Sequence, residues 1–387
     1  VKIIVAPDSF KGSISALRAA GQIEEGIRTV FPSAHIVKIP MADGGEGTAE
    51  TIRMITGGDI IEHEVRDPCN RPIRAGYCWI DSDRTAVIDT AAASGLPLLE
   101  EHERKPEELS TYGTGQLIRH ALDRGAAKII LGLGGSATID AGTGCLRALG
   151  MRYLDGSGNE ISGGGSLLGK VERIDADQLD PRLEKVEMVI ASDVRNPLLG
   201  SEGAVHVFGP QKGLQKHELA DFDNKMSHYA DIAEAATGRS SRDSPGAGAA
   251  GGFGFTLMSF FPGGKMMSGF ELIAELSGLE RQLQDADLVI TGEGKFDAQS
   301  LYGKVPVGIS RLAKPYGVPT VVFAGQADGD MRDANREGIH LVVPIVDQVM
   351  TLDEAMKQGE TLLKGTVVRM FQMIRLAGLI NAKGVSN

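Results

Sequence analysis

The sequence predicts an α/β protein of two domains built on largely parallel sheets. Three observations carry that expectation. The chain has 387 residues, 42% of them hydrophobic, which is too long for one ordinary core and rich enough to fill two. Short apolar runs alternate with helical stretches, as they do where strands are buried on both faces by helices. Finally, 51 glycines are about twice the roughly 7% share of an average protein, and they gather in clusters next to the apolar runs.

The apolar runs read as strands at 2–5, 35–39, 86–89, 128–131, 188–191, 288–290, 320–323 and 340–343. The helical stretches lie at 15–30, 47–55, 115–123, 144–149, 269–276, 305–314 and 352–376. In open α/β sheets ligands bind at the carboxyl ends of strands, so the residues after each run are where function is sought. After the first comes APDSFKGSISA, with Asp8, Ser9 and Lys11 ahead of a helix capped by Ser13 or Ser15. Capping explains the serines; Lys11 is in excess of it. After the second comes PMADGGEGTAE, where Asp43 and Glu46 either answer a helix dipole or hold a ligand. GLGGSATIDAGTG follows the run at 128–131, and SDVRNPLLGSEGA, then VFGPQKG, follows the run at 188–191. Asp193, at a strand end, is the general-base candidate on position alone. The run at 288–290 empties into TGEGKFDAQSLYGK, which carries Glu293, Lys295, Asp297, Gln299, Ser300 and Lys304, far more polar groups than a turn needs. Glycine clusters at strand ends let backbone N–H groups approach a ligand and so suggest a phosphate-rich or anionic small molecule.

Several classes are excluded or disfavoured. A net charge of −11 and the lack of any Lys/Arg block argue against nucleic acid. No apolar run approaches the roughly 18 residues of a membrane span. Cys69, Cys78 and Cys145 lack metal-ligand spacing and read as reduced thiols, and the chain opens on a strand with no leader, so a cytoplasmic protein is expected. GLGGSA fits the G-x-G-x-x-G/A fingerprint with Asp155 near the spacing of a ribose-binding acid, which keeps a nicotinamide-dependent hydroxy-acid oxidoreductase as an alternative. GAGAAG matches the same pattern but follows no strand. Walker A, protein-kinase and G-x-S-x-G motifs are absent.

VAPDSFKGS, PMADGGEGT, GLGGSAT, SDVRNPLLGSEGA, FGPQKG, PGAGAAGG and TGEGKFDAQSLYGKVP occur in that order. In this the chain resembles the bacterial type I glycerate kinase family over nearly its whole length. The resemblance implies ATP-dependent phosphorylation of D-glycerate, generally giving 2-phosphoglycerate, with phosphorylation of the 3-hydroxyl as the alternative. It also implies two α/β domains, one flavodoxin-like and one restriction-endonuclease-like, with the active site in the cleft between them. The expected division is 1–79 plus 285–387 as one discontinuous domain and 80–284 as the inserted one. Two departures stand out: where the family typically reads GGSATNDGG, this chain has Ile139 for an amide and Ala141 for a glycine. Arg71, in the loosely similar DPCNRPIRA, is a candidate substrate clamp.

Phosphoryl transfer to an alcohol needs positioning, neutralised phosphate charge and a base. Asp193 is assigned as the base and Lys11 as the second catalytic candidate. Substrate and nucleotide contacts are expected from Asp8, Ser9, Gly134, Gly135, Ser136, Lys295, Gln299, Ser300 and Lys304. Asp43, Glu293 and Asp297 are oxygen ligands of the kind Mg²⁺ prefers. The expected ligands are therefore D-glycerate, ATP and Mg²⁺, with no nucleic acid or membrane partner. Self-association is compatible with the sequence. A non-catalytic organic-acid sensor would use the same loops without base or metal.

Overall fold

The computed structural model describes residues 1–41, 47–297, 300, 305–328 and 331–382. Its strands are β1 (Lys2–Val5), β2 (His35–Lys38), β3 (Asp59–Arg66), β4 (Pro72–Ile80), β5 (Thr85–Asp89), β6 (Lys128–Gly132), β7 (Arg152–Leu154), β8 (Arg173–Asp175), β9 (Glu187–Ala191), β10 (Lys265–Met267), β11 (Leu288–Phe296), β12 (Thr320–Ala327) and β13 (Ile339–Pro344). The chain forms two compact units. Val1–Ala42 and Phe270–Asn387 make the end unit, and Asp43–Gly269 the middle unit. Residues 43–79, joined to the chain ends in the sequence expectation, thus belong to the middle unit, and 270–284 to the end unit.

The end unit carries a five-stranded sheet in the order β13-β12-β11-β1-β2, every neighbouring pair parallel. Numbered within the unit this is 2-1-3-4-5, the doubly wound order of flavodoxin-like sheets, whose switch point lies between β1 and β11. The helix Ala16–Val30 is capped by Ser15, whose hydroxyl accepts from the Arg18 amide at 3.3 Å. Ser13 instead donates to the Met356 carbonyl at 2.6 Å. The buried face of this helix, Ala19, Ala20, Ile23 and Ile27, shares a core with Leu363 and Val367 of the terminal helix Gly359–Ala382. A Cβ at Gly26 would lie 2.7 Å from Val367, so glycine lets these helices approach.

The middle unit carries a six-stranded mixed sheet in the order β10-β9-β6-β5-β4-β3, and β7 and β8 form a separate pair. β5, β6, β9 and β10 run parallel, while β3 and β4 pair antiparallel, joined by a turn with Asn70 at φ 64. Gly113 and Gly115 in the helix Tyr112–Asp123 are there for contact: a Cβ at either would meet the Arg66 or Cys145 carbonyl oxygen at 1.8 or 2.2 Å. All three cysteines are unpaired. Among the described residues no helix is long and apolar enough to cross a membrane.

Candidate active site

In the end unit the sequence-predicted residues collect at the switch point. The segment after β1 is tied to β11 by the Asp8 amide, which donates to the Gly292 carbonyl at 2.8 Å. Asp8 Oδ1 accepts from the Ser9 amide at 2.7 Å, closing the turn that leads to exposed Lys11. Gly294 makes this approach feasible, since a Cβ there would sit 3.3 Å from the Lys11 amide nitrogen.

β11 itself corrects the sequence expectation. The strand does not stop at Ile290 but continues through Glu293 and Lys295 to Phe296, because β12 pairs with it along that whole length. Glu293 and Lys295, two apart in an extended strand, project to the same side. Glu293 is 5% exposed, whereas Lys295 is exposed and its Nζ lies 3.2 Å from Asp297 Oδ2 and 3.8 Å from Asp328 Oδ2. Ser300 folds the chain back: its amide donates to the Asp297 carbonyl at 2.9 Å and its hydroxyl accepts from the Asp297 amide at 3.2 Å. Gln299, Lys304 and Asp43 lie outside the described residues.

In the middle unit four glycine-containing loops converge at the carboxyl end of the parallel strands. Leu133–Ser136 after β6, Ser192 and Val194 after β9, Phe208, Gln211 and Lys212, and Ala249–Ala250 line, with Leu96, a partly open cavity of about 140 Å³. Gly134, Gly135 and Ser136 therefore line it. Gly135 adopts φ 74, and the loop is pinned to the 94–96 segment by the Ala137 amide donating to Ser94 and the Leu96 amide donating to Gly135. The second glycine cluster turns through left-handed conformations at Ala250, Gly251 and Gly252, and the Gly251 carbonyl accepts from the Ala141 amide at 3.1 Å. Ala141, one of the two departures, thus holds φ 50 without glycine's freedom. Ile139, the other, is fully buried in the hydrophobic core of the unit.

Lys212 reaches this cavity and was not singled out from the sequence. The residue is 3% exposed, and its Nζ donates to Ser136 Oγ and to the Thr138 carbonyl, both at 2.8 Å. Burial pushes its pKa from a lysine's ordinary 10.5 down to about 7, against the partial support of the Asp140 charge. The signal available was FGPQKG itself, a lysine between a Pro-initiated turn and a glycine at φ 110. Asp140 was also missed as a structural centre. Fully buried, it accepts from the Thr111 amide and hydroxyl and the Gly144 amide through Oδ2, and from the Gly142 amide through Oδ1. Asp89, at the end of β5, likewise accepts from the Gly47 and Ala49 amides at the start of the helix Thr48–Thr56.

Asp193 is exposed at the end of β9, and its Oδ1 accepts from the Gly269 amide at 3.0 Å. Ser192, beside it, donates its amide to Met267 of β10 and lines the cavity. Two alternatives find other employment. Asp155 accepts from the Ser157 and Asn159 amides, holding its own exposed turn, and GLGGSA does not open a helix, since the next one is the six-residue Thr143–Ala148. The dinucleotide fingerprint therefore lacks its context. Arg71 is held by Asp67 and Glu103, each at 2.6 Å, beside the β3–β4 turn.

Among the described residues no three His, Cys, Asp or Glu side chains are grouped closely enough to hold a metal. Glu293 and Asp297 remain an oxygen donor set of the size Mg²⁺ uses when waters and phosphates complete its shell.

The model of the glycerate kinase family matches residues 3–375. The chain is 45% identical over 377 residues to the glycerate kinase of Bacillus subtilis strain 168, covering 97% of this chain and 98% of that protein. It is 43% identical over 357 residues to the glycerate 2-kinase of Escherichia coli K12, covering 92% and 93% respectively. A crystal structure from Salmonella typhimurium LT2, of a protein provisionally named glycerate kinase 2, is similar with a TM-score of 0.85 and 40% identity, over 98% of this chain and 99% of that one.

Proposed function

The chain belongs to the glycerate kinase family, and from that premise we propose that it transfers the γ-phosphoryl group of ATP to the 2-hydroxyl of D-glycerate, giving 2-phosphoglycerate and ADP. The 2-hydroxyl is favoured over the 3-hydroxyl by the name of the Escherichia coli relative, glycerate 2-kinase. The observation that carries the proposal on the structural side is that four loops bearing motifs of the family, and no dinucleotide fold, build the cavity of the middle unit.

The residues take roles within their own units. In the middle unit the Gly134–Ser136 loop and Lys212 offer donors to an anionic group, and Asp193 takes the proton of the attacking hydroxyl. In the end unit Lys11 and Lys295 bring positive charge to phosphate or carboxylate, with Asp8, Ser9 and Ser300 shaping the loops around them. Glu293 and Asp297 would hold Mg²⁺, which shields phosphate charge when bound. Asp43, Gln299 and Lys304 are proposed as further contacts on residue type. A cytoplasmic location fits this chemistry.

Release of ADP, followed in an assay coupled to NADH oxidation, tests the proposal. ADP should appear only when D-glycerate is present. ATP turnover indifferent to D-glycerate, or none with it, would overturn the assignment.

A further inference from the structure

We propose that the cavity of the middle unit is an oxyanion site whose lysine, Lys212, is a neutral amine when the site is empty and takes up a proton as the oxyanion enters. The donor count comes first. A neutral amine has two N–H groups, and Lys212 Nζ makes two hydrogen bonds, to Ser136 Oγ and the Thr138 carbonyl. An ammonium has a third donor, and among the described residues Nζ makes no third hydrogen bond.

The charge surroundings agree. Among the described residues no carboxylate lies within ion-pair distance of Nζ. Asp140 faces it only from further off, with its oxygens committed to Thr111, Gly142 and Gly144. No other titratable side chain lines the cavity, whose remaining walls are Leu96, Leu133, Val194, Phe208, the uncharged Gln211 and small residues. A buried amine without a counter-ion sheds its proton, and a ligand bringing negative charge restores it. The burial-driven fall of Lys212 to about 7 is consistent with that.

Two substrates carry the required oxyanion, a phosphate of the nucleotide and the carboxylate of the acid. Their identity rests on the kinase function proposed above; the proton linkage does not. The test is calorimetric titration at about pH 8 with Mg²⁺ and a non-hydrolysable ATP analogue, and separately with D-glycerate, each in two buffers of different ionisation enthalpy. The wild-type protein should take up close to one proton with one of the two ligands, and that ligand names the source. Lys212→Met and Lys212→Gln should lose the uptake and bind that ligand at least ~10-fold more weakly, with Kd read from the same titrations. Buffer-independent heats for both ligands in the wild type would overturn the proposal, even if a variant failed to fold. Uptake that persists in a folded variant would do so too. Absent glycerate-dependent ADP release with the uptake intact would instead defeat the kinase assignment alone.

Discussion

A lysine amine held by one hydroxyl and one carbonyl in an apolar wall destabilises the folded chain, and the sign of that effect can be worked out. With its folded pKa lowered to about 7 from 10.5, Lys212 binds fewer protons folded than unfolded between those values, so stability rises with pH across that window. Lys212→Met removes the slope. Its melting temperature relative to wild type should be highest near pH 7 and should fall steadily toward pH 10; a difference that stays constant with pH would contradict the neutral-amine assignment. Asp140 works the other way, as an acceptor for three amides and a hydroxyl. Asp140→Asn would turn two N–H donors toward other donors and should cost roughly 2–4 kcal/mol by denaturant titration. At Asp193 the expectation is catalytic. Asp193→Asn keeps the shape that meets the Gly269 amide, so melting should change little while kcat falls by about 10²–10⁴. A variant with near-native kcat would move the base elsewhere.

At the scale of elements, the apolar strands were legible because their cores are continuous: β1, β5, β6, β9 and β12 all begin or end within a few residues of their expected bounds. β3 was not. Its sequence DIIEHEVR pairs along an edge and buries only Val65, so neither alternation nor an apolar run betrays it. β11 was truncated for a related reason, because Gly292, Glu293 and Lys295 have little strand propensity and are held there by pairing with β12. The helix expected over 352–376 is two, Leu352–Lys357 with a Thr351–Glu354 capping box and Gly359–Ala382. Site loops were legible as glycine clusters, but which side chain they enclosed was not, since the packing that buries Lys212 comes from loops far apart in sequence. Gly142 makes the loop geometry testable: at φ 73, with a Cβ that would fall 2.0 Å from the Phe253 ring, Gly142→Ala should destabilise by roughly 2–4 kcal/mol. A cost below about 0.5 kcal/mol would mean the loop is looser than described.

For the whole molecule, the roles proposed for Glu293 and Asp297 would set carboxylates beside nucleotide phosphates, and these repel unless a divalent cation shields them, so the proposal carries a metal requirement. Activity should vanish in excess EDTA and return with Mg²⁺; full turnover in EDTA would remove Glu293 and Asp297 from the roles proposed for them. The match across residues 3–375 and the 0.85 TM-score make the family secure, so the central claim is the reaction itself and the hydroxyl it modifies. ³¹P NMR of the product formed from ATP, Mg²⁺ and D-glycerate tests both at once. The account predicts a new phosphomonoester whose phosphorus couples to the single proton on C2, as in 2-phosphoglycerate. Coupling to the two protons of C3, or no new phosphomonoester at all, would contradict it.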